Sequence, residues 1–282
     1  MSYNWINAKD YTMNCFLLFD RWTLRWIFTD CSREDWFSGG ERDYKLAMAM
    51  TLHRYPHVAE YVRVKAPECG AFLDEVLAVP DDGWTEEAMR EAETYILQVH
   101  ETFVVYVYPE VMDQLNYIRN WDPKYLYELA DLTDRIVLDV GSGTGRLAFA
   151  AAKKARRVYA SEPCDCLREY MRDRIRAQGI TNVKVLDGEV LSLPYEDNTF
   201  DVVMSGHVIG DFYEEEIAEI TRITKNGGWL VICNGDDEFV REMPDRELTS
   251  RGFEWFRHES PEGGVIYNYR KQVVKEAREP SA

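Results

Sequence analysis

From residue 134 to 275, short apolar runs rich in β-branched residues alternate with stretches of helical period. That alternation is the pattern of a mostly parallel sheet with crossover helices on both faces. Strands are predicted at 135–140, 158–161, 183–186, 200–205 and 229–233. Helices are predicted at 145–154, 165–178 and 214–224, with a turn at Gly227-Gly228 before the fifth strand. Residues 253–258 and 264–275 read as two further strands joined by a turn at 261–264. They give the sheet an antiparallel edge hairpin at its C-terminal end. The fold class is therefore α/β, with a doubly wound sheet.

Before about residue 122 no strand alternation stands out, and the pattern is helical. Tyr11, Phe16, Phe19, Trp22, Trp26 and Phe28 recur at spacings that suit one face of a helix over 10–30. Shorter helices are predicted at 42–53 and 57–66, split by Pro56. Thr85 is placed as an N-cap, with Glu86 and Glu87 in the first turn where negative charge suits the helix dipole. That helix is predicted to run to about residue 106. Pro109 and Pro123 are placed to begin further helices. The expected organisation is a helical N-terminal cap over 1–121 and a sheet domain over 122–282.

Hydrophobic residues make up 46% of the 282-residue chain and charged residues 29%, so the composition is that of a globular protein. The formal net charge of −17 repels phosphate backbones and argues against a nucleic-acid partner. The basic cluster Lys153, Lys154, Arg156 and Arg157 falls at the end of a predicted helix, where cations favour the dipole. No apolar run approaches the ~20 residues of a membrane span, and no secretory signal is seen. A cytoplasmic location with free thiols is the expectation for the six cysteines. Cys164 and Cys166, without a second cysteine pair or a nearby histidine, make a poor metal site, so no metal is expected.

The densest chemical signal is Val137-Leu138-Asp139-Val140-Gly141-Ser142-Gly143-Thr144-Gly145. A strand ends, a glycine-rich turn follows and a small-residue helix begins, which places a ligand at the carboxyl end of a parallel strand. The dinucleotide fingerprint wants its third glycine one residue later, where Arg146 stands. A carboxylate at Asp139 would repel a pyrophosphate and attract a cationic amino-acid head group. Downstream, 158–162 is a strand ending in Glu162, 21 residues after Gly141, where a carboxylate can accept ribose hydroxyls. Capping of the next helix is the competing role for Glu162. Three more segments stand out: Gly188-Glu189-Val190-Leu191-Ser192-Leu193-Pro194-Tyr195, the stretch Asp197 to Val208, and Arg222 to Ile232.

In this order and spacing these five segments resemble the motifs of the class I, Rossmann-like S-adenosylmethionine-dependent methyltransferases, over roughly 123–275. Asn226 stands where that family usually has proline, and Glu189 is one methylene longer than the family's acid. The resemblance implies S-adenosylmethionine as cofactor and S-adenosylhomocysteine as product. It implies a cofactor site drawn from Asp139, Gly141, Ser142, Gly143, Gly145, Glu162, Pro163, Gly188, Glu189, Val190, Ser205, Gly206 and His207. Asp139 would hold the methionine end, Glu162 the ribose and Glu189 the adenine amino group, with Asp187 as a substitute.

His207 is a candidate general base for a hydroxyl or thiol acceptor, and Asp211 a weaker one. Lining the cofactor pocket is the bland role for His207, and helix capping is the bland role for Asp211. Ser205-Gly206-His207-Val208 replaces the Asn/Asp-Pro-Pro-aromatic signature of enzymes that methylate amide or base nitrogens. The leading expectation is methyl transfer to a small organic acceptor, with a homodimer as a permitted assembly. The alternatives are a protein side-chain methyltransferase and a catalytically silent cofactor- or partner-binding protein. A dinucleotide oxidoreductase is disfavoured by Asp139 and Arg146. Tyr3, Trp5, Tyr11 and Tyr117 are candidates to reach cofactor or substrate, and Asn234, Asp236 and Asp237 are candidates at the rim.

Overall fold

The computed structural model describes residues 12–30, 43–235, 242–259 and 264–275. Tyr3, Trp5, Tyr11, Cys31, Asp236, Asp237 and most of the expected turn at 261–264 lie outside them. The chain divides into two compact units, 1–108 and 109–282. Residues 109–121, grouped with the cap on sequence, go with the sheet.

The sheet has seven strands: β1 (Ile136–Val140), β2 (Arg157–Ser161), β3 (Val183–Leu186), β4 (Phe200–Ser205), β5 (Thr224–Ile232), β6 (Glu254–Glu259) and β7 (Val265–Gln272). Their order is β3-β2-β1-β4-β5-β7-β6. The first five are parallel, and the last two join antiparallel, with β7 pairing to both β5 and β6. Helices on both faces explain the unbroken apolar runs. Val137, Val202, Met204 and Val231 face one core, and Leu138, Val140, Val203, Leu230 and Ile232 face the other. β5 begins five residues earlier than its apolar run suggests. The positive φ of 78° at Gly227 and a register shift opposite Phe200/Val202 carry the strand through the expected turn.

The helical unit has its own core of aromatic and aliphatic side chains. The single helix expected over 10–30 is instead three short pieces in its described part: a 3₁₀ segment Met13–Leu18, a helix Arg21–Arg25 and a π turn Trp26–Asp30. The side chain of Asp20 accepts from the Thr23 amide and caps a new start, which ends the preceding segment. Helices Tyr44–Arg54 and Pro56–Lys65 match the split at Pro56. Thr85 caps Glu86–Val99 through Ala88, and the backbone then tightens to 3₁₀ over Glu101–Tyr106. Helices Gly70–Leu77 and Arg246–Ser250 had no sequence expectation.

Glu93 is fully buried in this unit. Its carboxylate accepts from the Met13 amide at 2.8 Å and from Arg90 at 2.7 Å, tying the first described segment to the long helix. Substituting Glu93→Ala leaves a buried amide without an acceptor. The expected cost is about 1–3 kcal/mol, read as a lower urea midpoint; an unchanged midpoint would show that the bond contributes nothing to the unit.

Candidate cofactor site

Strand register brings the sequence motifs together. Val140 at the end of β1 pairs with Ser161 of β2 on one side and Ser205 of β4 on the other, and Ser161 pairs with Leu186 of β3. The segments that follow these ends (141–145, 162–163, 187–190 and 206–208) therefore emerge in one row along the carboxyl edge of the sheet.

The glycine loop is held from its own backbone. The Ser142 hydroxyl donates to the Asp139 carbonyl at 2.9 Å, and its amide donates to the Ser161 carbonyl at 3.1 Å. Gly143 has a φ of 56°, a left-handed conformation suited to glycine, and its amide donates to Glu162 Oε2 at 2.8 Å. Glu162 Oε1 accepts from the Cys164 amide at 2.9 Å, next to the start of helix Asp165–Gln178. One buried carboxylate thus binds both the loop and the next helix start. Arg168 donates to the Glu162 carbonyl at 2.6 Å and also pairs with Asp165 and Asp187. Asp187 is exposed, and Glu189, Val190 and Pro163 are half-buried. Gly188 is buried where a side chain would press on the Ser161 hydroxyl, 2.9 Å from the position of a Cβ.

Asp139 lies beneath the loop, 1% exposed, with Oδ2 accepting from the Ala148 amide at 3.0 Å. Burial pushes its carboxyl up to about 7, against the opposing pull of the Arg146 guanidinium. Arg146, weighed on sequence only as an obstacle to dinucleotides, proves central. Its Nη2 donates to the Cys233 carbonyl at 2.9 Å beyond β5, and its guanidinium lies 4.8 Å from the Trp121 ring and 5.8 Å from the Tyr117 ring. Gly206 makes room for it: a Cβ there would overlap the guanidinium and sit 2.8 Å from the Cys233 oxygen.

At the end of β4 the Ser205 side chain is buried, its hydroxyl without a hydrogen-bond partner among the described residues. His207 is exposed, with a φ of 61°. Its amide donates to Asn234 Oδ1 at 3.1 Å, and its Nε2 accepts from the Gly235 amide at 3.0 Å. Its ring lies 4.4 Å from that of Tyr117. Asp211 is exposed on the loop before helix Tyr213–Ile223, whose N-cap is Phe212. The reach back from that helix is made by Glu216, which accepts from the Gly210 amide at 2.9 Å. Met112, unmarked on sequence, and Val208, the last residue of the fourth-strand motif, pack on the loop: Met112 Sδ lies 3.1 Å from a Gly143 Cβ position, and Val208 covers Gly141.

The methyltransferase domain family matches residues 138–232, from β1 to the end of β5. This match falls within the stretch whose motifs resemble the class I S-adenosylmethionine-dependent methyltransferases. The cofactor is S-adenosylmethionine. Over 161 residues the chain is 29% identical to a demethylmenaquinone methyltransferase of Thermobifida fusca, covering 55% of this chain and 68% of that protein. An uncharacterized protein of Methanocaldococcus jannaschii is 35% identical over 26% of this chain and 27% of its own length. A crystal structure of an S-adenosylmethionine-dependent methyltransferase from Aquifex aeolicus aligns at 22% identity with a TM-score of 0.47, covering 58% of this chain and 96% of that one. No helix among the described residues is long and apolar enough to cross a membrane.

The raised Asp139 carboxyl has a stability consequence. Its folded pKa lies above that of an unfolded aspartate, so the folded chain keeps a proton that the unfolded chain releases between about pH 4 and 7. Its stabilising contribution is complete below that window and is lost as pH rises through it. Asp139→Asn removes the titration. The stability of the variant relative to the parent should therefore rise from pH 4 to 7 and then level off, by up to about 4 kcal/mol in cofactor-free protein. Urea melts of both proteins across that range measure it; parallel curves would mean Asp139 keeps an ordinary carboxylate pKa.

Proposed function

We propose that the domain transfers the S-adenosylmethionine methyl group to a small organic acceptor. The observation that carries the cofactor placement is the row of strand ends, which sets the glycine loop, Glu162, Gly188-Glu189 and Ser205-Gly206 side by side. Glu162, whose carboxylate accepts from the Gly143 and Cys164 amides, stands at the end of β2 beside the glycine loop, where a carboxylate can take the ribose hydroxyls. Pro163, half-buried beside it, walls the same end. Glu189 takes the adenine amino group, with Val190 against the ring. Asp139 acts from beneath the loop: its charge favours the cationic methionine end through the backbone it anchors, rather than by lying on the surface.

Several features support the small acceptor. The net charge of −17 disfavours nucleic acid. The T. fusca relative is named a demethylmenaquinone methyltransferase, which points to a quinone ring as acceptor, and the rings of His207 and Tyr117 stand beside the strand ends. The family's reaction is a displacement at the sulfonium methyl, so the protein's main task is to hold the acceptor in line and dry. A base is needed only where the acceptor must lose a proton early. His207 can serve through Nε2 only if the Gly235 bond opens, since that nitrogen already accepts a hydrogen bond from the Gly235 amide.

Two measurements test this. In calorimetry S-adenosylhomocysteine should bind and NAD should not, and Glu162→Gln should weaken the former about 10- to 100-fold. Binding of NAD alone, or unchanged affinity in the variant, would misplace the site. Methyl transfer should then be found among phenols, quinols and other small nucleophiles; transfer confined to peptides would overturn the acceptor class. With the acceptor in hand, His207→Ala separates the two roles of that residue. A base loses on the order of 100-fold or more in kcat, and a packing residue does not.

A further inference from the structure

A cleft of about 510 Å³ lies within the 109–282 unit and adjoins the row of strand ends at Thr144 and Gly145. Residues 113–123 form one side, helix Arg146–Ala152 the floor, and Arg174 and Gln178 of helix Asp165–Gln178 the other side. Glu162, Glu189 and Ser205 are not among its lining residues.

Four residues lining this cleft each carry a buried polar atom with no hydrogen-bond partner among the described residues: Thr144 Oγ1, Arg146 Nη1, Trp121 Nε1 and Asp113 Oδ1. Thr144 is only 1% exposed. Buried polar atoms are ordinarily paired, because leaving them so costs free energy that a neighbour, water or ligand recovers. The walls of the cleft therefore hold three donors, one of them charged, and one acceptor. Arg119 and Lys153 stand exposed on its lining without an acidic partner among the described residues. Arg174 is committed within the wall, donating to the Thr144 carbonyl at 3.0 Å and to Asp113 Oδ2 at 3.3 Å. Against four cations the lining has one acid, in a chain whose formal net charge is −17. Ile118, Trp121 and Phe149 supply apolar wall between the polar groups.

We propose that this cleft is a second ligand site, for a small organic anion (a carboxylate or a phosphate) with an apolar body and a hydroxyl or amino donor. The anionic end pairs with Lys153, Arg119 and Arg146 Nη1, and the donor reaches Asp113 Oδ1. Thr144 lies inside the glycine loop, and Arg146 reaches from the cleft to the Cys233 carbonyl at 2.9 Å beyond β5. An occupant therefore restrains both the loop that carries the cofactor and the rim beside it, and the two ligands reinforce one another.

The probes are 4-hydroxybenzoate and 4-hydroxyphenyl phosphate as anions with a donor, benzoate without the donor, and 4-hydroxybenzamide without the charge. Calorimetry is run on the full chain with S-adenosylhomocysteine saturating and without it. At least one hydroxylated anion should bind with millimolar or better affinity, at least 10-fold tighter than the amide and measurably tighter than benzoate. Which of the two anions binds tighter identifies the headgroup. Arg119→Glu/Lys153→Glu should lower that affinity at least 10-fold and leave S-adenosylhomocysteine affinity in the anion-free protein unchanged, with the circular dichroism spectrum confirming the fold. Equal binding of the amide, failure of every probe, or anion binding that survives the double substitution overturns the proposal. The last outcome would place the probe elsewhere, including at an acceptor site. None of these results bears on the cofactor assignment, which is read separately by S-adenosylhomocysteine binding.

Discussion

The carboxylate of Glu162 is the constraint from which the rest of the site follows. Its two oxygens take the amides of Gly143 and Cys164, at 2.8 and 2.9 Å. These amides belong to the loop after β1 and the start of the helix after β2. Without an acceptor between them, two buried donors would be left unpaired. Glycine at 143 follows from the same geometry, since its amide turns toward Glu162 at a positive φ. Capping and ligand binding were opposed roles for Glu162 on sequence. In the fold the capping role is visible, with Oε1 accepting from the Cys164 amide at the helix start.

The second organising feature is electrostatic. The chain is strongly acidic, yet its buried polar groups around the loop are arranged as alternating charge: Asp139 under the strand end, Arg146 beside it, and the Tyr117 and Trp121 rings on the guanidinium. Burial raises the Asp139 carboxyl and lowers the Arg146 guanidinium, and each opposes the other's shift. A cationic ligand above the loop would draw Asp139 back toward its charged form. Cofactor binding and the protonation of one buried acid are thus linked.

Most of the sheet was legible because its signals are local. Apolar runs, glycine turns and acidic helix starts mark β1 to β4 and the helices between them within a residue or two. The exceptions have physical causes. The 10–30 stretch shows helical spacing of aromatics, but Asp20 caps a fresh start inside it, and a cap outweighs a hydrophobic stripe when the segment is short. β5 runs through Gly227-Gly228 because pairing with β4 and β7 decides its length, and pairing partners lie far away in sequence. At the site, residues that act through backbone proximity were visible as glycines and acids. One that acts by packing across the fold was not: nothing near Met112 in the chain announces that it covers Gly143.

Arg146 shows the difference between reading a residue as an exclusion and as a part. Along the chain it means only that a third glycine is missing where a dinucleotide loop wants one. In the fold the same side chain bridges a loop after β1 to a carbonyl after β5, and position 206 suits glycine because a Cβ there would overlap the guanidinium and press within 2.8 Å of the Cys233 carbonyl that it binds. Gly206 reads on sequence as one more cofactor glycine. The structure gives it a prior reason to lack a side chain. Arg146 and Gly206 thus form one unit across the sheet edge, and each is intelligible only through the other.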